Sequence, residues 1–240
     1  LLDQAPTANV LVLLSFRPEF TPPWGSRAHV TPILLNRLTR RLAGDMIERL
    51  TDNKRLPAEI LIQLTAKSDG VPLFVEELTR MVIESELVHE VEDHYELTGS
   101  LPSLAIPTTL QDALTARLDS LGSLREVVQL GAVLGREFSY ELLRSVSSLN
   151  EDLLRSHLQQ LVTGEFLYQR RQPPDATYIF KHALFQDAAY GSLLRSTRQQ
   201  YHQQIGLVLE EKFPNTAETE PELLAHHFAE GDPVLLFDDK

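Results

Sequence analysis

The first apolar stretch of the chain, residues 10–14 (VLVLL), offers no polar position on either face. A short run without alternation is typical of a strand buried in a mostly parallel sheet. A second short strand is predicted at residues 30–35. Because two strands do not complete a doubly wound sheet, we expect the other strands to precede residue 1. Residues 1–38 are therefore predicted to be the C-terminal remnant of an α/β core.

From Thr39 the apolar positions recur at intervals of three and four, which is the spacing of amphipathic helices. The pattern predicts one helix around Met46 and another after Pro57. Gly70 then fits a helix C-cap, and Pro72 fits the first position of a third helix that extends to residue 87. Residues 39–88 are expected to form a small helical bundle, and residues 89–107, with a candidate strand at 95–97, to form a linker.

Capping residues mark the helices of the next segment. Thr108 and Ser123 each precede a Gln or Glu three positions on, as in a capping box. Ser139 and Asn150 also stand before helical patterns, so four helices are predicted between residues 109 and 164.

Two β-prone runs, 166–171 and 177–180, flank a Pro-Asp turn and predict a hairpin. Four helices, this hairpin and a helix over 182–195 describe a winged helix at residues 108–195. Two further amphipathic helices resemble the first unit of a helical repeat array, which assigns residues 196–232 to a TPR-like region and leaves 233–240 as a tail. The fold class is mostly α with minor β.

The amino-acid composition argues against several classes of protein. The chain has 240 residues, no Cys and a net charge of -12. The missing Cys excludes disulfides, thiolate zinc sites and cysteine nucleophiles, and fits a reducing compartment such as the cytoplasm. No apolar run approaches the roughly 18 residues of a membrane span, and no signal peptide precedes the first one. The acidic balance disfavours binding to nucleic acid.

No catalytic template occurs in these 240 residues, and no P-loop motif is present, so we expect no catalytic residue, no metal site and no nucleotide hydrolysis by this chain alone. Three positions remain as candidates. Arg17 follows a predicted strand at the sheet edge where α/β proteins bind ligands. Gly70 and Pro72 form a rigid turn that either packs on a planar base or only ends one helix and begins the next. His182 follows the hairpin and either binds a ligand or only caps its helix.

Three runs in the same order resemble the STAND class of signalling NTPases, which are relatives of AAA ATPases: LSFR at 14–17, GVPLF at 70–74, and FKHAL at 180–184. In particular the chain, from residue 1 to about 231, resembles the ATPase module that bacterial multidomain proteins carry between adenylate/guanylate cyclase domains and tetratricopeptide repeats. The resemblance implies that residues 1–38 belong to a P-loop NTPase core whose P-loop and Mg-binding acids lie upstream, and that residues 39–88 are a helical lid.

The resemblance also assigns roles. Arg17 matches the sensor arginine that reports the γ-phosphate, Gly70 and Pro72 match the motif that packs on adenine, and His182 matches the winged-helix histidine that contacts the β-phosphate of ADP. The expected cofactor is ATP or ADP, and the expected partners are the upstream core, fused output domains and proteins that bind the repeats. Ala183 stands where related plant immune receptors carry an Asp, so a locking bond from that acid is not expected.

Two other functions stay open from the sequence. A winged helix binds DNA in many regulators, but the candidate recognition helix at 151–163 contains only one basic residue, Arg155. A TPR-type scaffold would need a longer repeat array, because each repeat buries its apolar face against its neighbours.

Overall fold

The computed structural model describes residues 7–17, 19–25, 27–85, 87–99 and 106–231. The chain divides into two units, residues 1–37 and residues 38–240. The proposed tail at 233–240 lies outside the described residues, as does part of the proposed linker.

The described residues of the first unit contain no strand, so the strands predicted at 10–14 and 30–35 are wrong for this structure. Leu11 is 94% exposed and Leu13 83% exposed. A strand needs a neighbouring strand that pairs with its backbone N–H and C=O groups. The described residues of this unit contain no strand that could pair with residues 10–14. The apolar run therefore belongs to no helix or strand of the structure.

The second unit is mostly helical and begins with three helices, as the apolar spacing predicts. These are α1 (Arg40–Leu50), α2 (Ala58–Lys67) and α3 (Pro72–Glu84). Thr39 caps α1, because its side chain accepts a hydrogen bond from the Leu42 N–H at 3.3 Å. One buried core unites the three helices, with Ile47, Ile60 and Leu78 at 2% exposure or less.

A hairpin follows α3 where a linker is predicted. Its strands are β1 (Val88–Val91) and β2 (His94–Leu97), which pair antiparallel. Val88 is buried in the core of α1–α3, and the Tyr95 N–H donates to the Arg55 carbonyl at 2.8 Å. The candidate strand at 95–97 is thus confirmed, while β1 is a finding that the polar composition of this segment conceals.

Four helices then confirm the prediction for residues 109–164: α4 (Leu110–Asp119), α5 (Arg125–Leu134), α6 (Tyr140–Val146) and α7 (Glu151–Thr163). Ser139 and Asn150 cap α6 and α7 through their side chains, as predicted. The cap of α4 is Thr109 rather than Thr108, and Ser123 caps nothing because a 3-10 turn over Gly122–Leu124 leads directly into α5.

A three-stranded antiparallel sheet completes this part of the unit. It comprises β3 (Glu137–Ser139), β4 (Leu167–Arg170) and β5 (Thr177–Phe180) in the spatial order β3-β5-β4. The predicted hairpin is confirmed as β4 and β5, and β3 is an addition. Two residues separate β5 from helix α8 (Ala183–Gly191). These residues, Lys181 and His182, form the short corner between sheet and helix.

Three helices end the described chain: α9 (Arg195–Lys212), α10 (Pro214–Thr219) and α11 (Pro221–Gly231). Helices α9 and α11 pack closely, since a Cβ added at Gly206 would lie 2.9 Å from the ring of Phe228. The two predicted amphipathic helices are confirmed, and α10 is new. No helix within the described ranges combines the length and apolarity needed to cross a membrane.

Candidate functional site

Gly70 holds the turn between α2 and α3 in a conformation that only glycine adopts easily. Its φ is 68°, and the Leu38 N–H donates to its carbonyl at 2.7 Å. A Cβ at this position would stand 2.2 Å from the Leu38 carbonyl oxygen. The fold therefore requires a glycine here whether or not a ligand binds. Pro72 occupies the first turn of α3 and is exposed, so its ring is open to a ligand.

The corner between β5 and α8 presents two nitrogen-bearing side chains. The Lys181 N–H donates to the Phe166 carbonyl at 2.9 Å, which fixes the corner against the turn before β4. His182 is the N-cap residue of α8, but its side chain makes no capping hydrogen bond. Capping alone therefore does not explain a histidine at this position.

Glu76 of α3 faces this corner. Its Oε1 lies 2.5 Å from Lys181 Nζ, and its Oε2 lies 3.5 Å from His182 Nε2. The second contact is too long for a good hydrogen bond, and His182 Nε2 is a buried nitrogen with no hydrogen-bond partner among the described residues. The imidazole thus keeps one unused hydrogen-bonding atom beside a carboxylate.

Glu165, in the turn between α7 and β4, supplies a second carboxylate. Its Oε2 lies 2.6 Å from Lys181 Nζ and also contacts the guanidinium of Arg80. Arg80 reaches back to Glu76 at 3.4 Å along α3. Glu76, Arg80, Glu165, Lys181 and His182 form one cluster, which we call the α3 junction.

The electrostatics of the α3 junction favour charged carboxylates. The neighbouring His182 imidazole and then the Lys181 ammonium lower the pKa of Glu76 to about 2, although burial acts in the opposite direction. The Lys181 hydrogen bond also lowers the pKa of Glu165. Burial disfavours the charged form of Lys181, but hydrogen bonds to Glu165 and Glu76 outweigh it and raise the pKa of the amine. Both carboxylates and the lysine are therefore ionised at neutral pH.

The next residue on α3, Glu77, makes a separate and deeper contact. It is 2% exposed and pairs with Arg117 of α4, which is 5% exposed. Arg117 also donates to the Gly164 carbonyl at 3.0 Å and lies over the Phe166 ring at 4.2 Å. Two adjacent acids of α3 thus connect α1–α3 to the helices and sheet that follow.

The four predicted site residues are divided between the two units of the chain. Gly70, Pro72 and His182 belong to the same unit, and Glu76 lies one helical turn after Pro72 on the helix that contacts His182. Arg17 belongs to the first unit, where it is exposed and its carbonyl accepts the Phe20 N–H at 3.0 Å. The role of Arg17 at the same ligand stays a prediction.

Sequence reasoning did not identify the acids that complete the junction. Lys181 lies inside the quoted run FKHAL without an assigned role, and Glu76 and Glu77 follow the quoted run GVPLF after one intervening residue, Val75. Glu76 and Lys181 are 105 positions apart, so only the folded chain reveals the pair. The sequence feature that could have pointed to these acids is the pair Glu76 and Glu77, which lies one helical turn after the proline that starts α3.

A second polar cluster joins α8, α9 and α11. Tyr190 Oη lies 2.9 Å from His202 Nε2, and His202 Nδ1 lies 2.9 Å from His227 Nδ1. His202 is fully buried and His227 is 1% exposed. The adjacent His226 is exposed. No cluster of three or more potential ligands in the described parts of the chain could hold a metal ion.

Comparison with known proteins adds little to this geometry. No family model matches the sequence. An uncharacterized protein of Rhizobium meliloti (strain 1021) is 27% identical over 221 residues, which cover 91% of this chain and 21% of that protein. The chain thus spans about a fifth of the length of the curated relative it matches.

Proposed function

We propose that the chain is the regulatory, nucleotide-sensing segment of a STAND-class signal-transduction ATPase. In this proposal residues 1–38 complete a P-loop core, residues 39–88 are a helical lid, residues 108–195 are a winged helix, and residues 196–232 begin a TPR-like region. The P-loop and the Mg-binding acids belong to other parts of a longer protein, so this chain alone does not hydrolyse ATP. The nucleotide state passes to fused output domains, a cyclase among them.

The α3 junction is the observation that carries the proposal. The motif at 180–184 is far in sequence from the motif at 70–74, yet His182 approaches within 3.5 Å of Glu76, which lies two residues after the motif at 70–74. A ligand with a planar base at Pro72 and a phosphate at His182 would span one short stretch of α3. This convergence supports a shared site better than two independent structural roles would.

The residues present suit an adenine diphosphate. The exposed ring of Pro72 offers an apolar surface for a base, and the unpartnered His182 Nε2 can donate a hydrogen bond to a phosphate oxygen. Lys181 adds a permanent positive charge beside it. ADP would hold α3 and the sheet corner in one arrangement, and exchange for ATP, sensed by Arg17, would change it.

DNA binding is the weaker reading of the same helices. Arg155 of α7, the one basic side chain of the candidate recognition helix, is held by Glu151 at 2.7 Å and by the Tyr140 hydroxyl at 3.1 Å. Arg170 on the hairpin lies 3.7 Å from Glu137. Basic side chains that are already paired with acids leave little charge for phosphate backbones.

The test is His182→Ala in the longer protein that carries this segment, with the exposed His226→Ala as the control. We expect His182→Ala to speed ADP dissociation and to change output activity, because the variant loses the donor that faces the phosphate. His226→Ala should leave both quantities unchanged. Equal ADP off-rates and equal output in wild type and His182→Ala would refute the proposal.

A further inference from the structure

The charges of the α3 junction cancel in the ligand-free chain. Glu76 and Glu165 supply two negative charges, and Lys181 and Arg80 supply two positive ones. Lys181 donates to both carboxylates, at 2.5 Å and 2.6 Å, so acids of the chain itself already occupy two of the three N–H donors of its ammonium. Any anion that approaches His182 meets these carboxylates first.

We propose that Lys181 is a second phosphate-binding residue beside His182, and that Glu76 and Glu165 are built-in competitors that occupy its ammonium until a diphosphate displaces them. This inference rests on the proposed function, because it takes the phosphate groups of a nucleotide as the ligand. A diphosphate carries more negative charge and more acceptor oxygens than a carboxylate, so it can replace one or both acids at a lysine. The diphosphate then lies between Glu76 of α3 and the corner at Lys181, in place of the direct ion pair.

Glu165 and Glu76 differ in how easily a diphosphate displaces them from Lys181. Glu165 is 46% exposed, and its φ of 58° is a left-handed conformation that costs a non-glycine residue energy. Glu76 is 12% exposed and lies within a regular helix. The turn with Glu165 can therefore move at little cost, whereas Glu76 moves only with α3. Displacement begins at Glu165 and reaches α3 when Glu76 follows.

The contact with Glu165 is weak enough to be exchanged. Its side chain is 46% exposed, and an ion pair that keeps contact with water contributes little to stability. A diphosphate that also bonds His182 Nε2 gains a contact that neither acid makes well, since Glu76 Oε2 stays 3.5 Å away. Linkage then requires reciprocity: if the acids weaken anion binding at Lys181, anion binding weakens their ion pairs with Lys181 by the same factor.

The experiment titrates inorganic pyrophosphate into the 240-residue chain by calorimetry at fixed ionic strength. The variants are Glu165→Gln, Glu76→Gln and Lys181→Met, and the charge-matched control is Glu59→Gln, an exposed acid of α2. We expect each of the two junction glutamine variants to bind pyrophosphate at least about 5-fold more tightly than wild type. Glu59→Gln should change affinity less than 2-fold (about 0.4 kcal/mol). Lys181→Met should bind more weakly than wild type.

A structural measurement completes the test. Saturating pyrophosphate should speed amide hydrogen exchange in β4 of the wild type, and Glu165→Gln should show the faster exchange without ligand. Glu165→Gln serves as the safe variant, because its exposed side chain can be changed without disturbing the core even if Glu76→Gln misfolds.

The inference is overturned if the junction variants bind pyrophosphate no better than Glu59→Gln, if Lys181→Met binds as well as wild type, or if no variant binds at all. Its failure is distinct from failure of the proposed function. ADP binding that depends on His182 but not on Lys181, Glu76 or Glu165 would refute the competition alone. Pyrophosphate binding that behaves as expected, with no preference for ADP over pyrophosphate, would refute the nucleotide proposal alone.

Discussion

Replacing Gly70 with alanine perturbs the turn in two separable ways. Alanine would have to adopt the left-handed backbone conformation of Gly70, with φ at 68°, which costs an L-residue roughly 1–2 kcal/mol. Its Cβ would also stand 2.2 Å from the Leu38 carbonyl oxygen, so the two segments must separate. Separation breaks the 2.7 Å hydrogen bond from the Leu38 N–H to the Gly70 carbonyl, which contributes about 1 kcal/mol. The expected total loss is about 2–4 kcal/mol in the free energy of unfolding.

Gly122→Ala is the matched control. Gly122 also has a positive φ, 53°, but nothing lies within 4 Å of its added Cβ, so this variant pays only the backbone cost of about 1–2 kcal/mol. Urea unfolding followed by circular dichroism gives both free energies. If Gly70→Ala loses no more stability than Gly122→Ala, the close approach of Leu38 does not hold the turn and the reasoning is refuted.

Two further predictions concern buried ionisable side chains. Arg117→Met should destabilise the chain by about 3–5 kcal/mol, because it leaves Glu77 buried without its ion-pair partner; a loss under 1 kcal/mol in urea unfolding would contradict this. Burial lowers the pKa of His202 and of His227 to about 4, so the unfolded chain takes up protons first as the pH falls below 6.5. Stability should therefore be full above pH 6.5 and fall by roughly 2 kcal/mol per histidine by pH 5. Thermal melts of His226→Gln should keep this pH dependence, and a flat wild-type profile would refute it.

The helices could be predicted because their signals are local. Apolar spacing of three and four residues, a proline at the start of α3 and the capping side chains of Ser139 and Asn150 all act within one or two turns. The β4–β5 hairpin is local as well, since a turn joins its two strands. Where a competing local structure was available, as with the 3-10 turn at Ser123, the prediction was wrong.

Features that depend on distant partners could not be predicted. The run at 10–14 resembles a buried strand, but a strand forms only beside another strand, and the run alone does not show whether one is present. The burial of His227 depends on its partner, His202, which lies 25 positions earlier on another helix. The candidate site shows the same limit: the motif proposes His182, whereas its carboxylate neighbour Glu76 is evident only in the fold.

The central claim is that the corner at Lys181 and His182 receives the phosphates of an adenine nucleotide, and histidine NMR tests it most directly. The 27.1 kDa chain has eight histidines, and their ring nitrogens can be followed while ADP is added. We predict that the ring signals of His182 shift with ADP, that those of the buried His202 do not, and that Lys181→Met weakens the response. His182 signals that stay fixed at the highest ADP concentration, or shifts confined to other histidines, would contradict the claim.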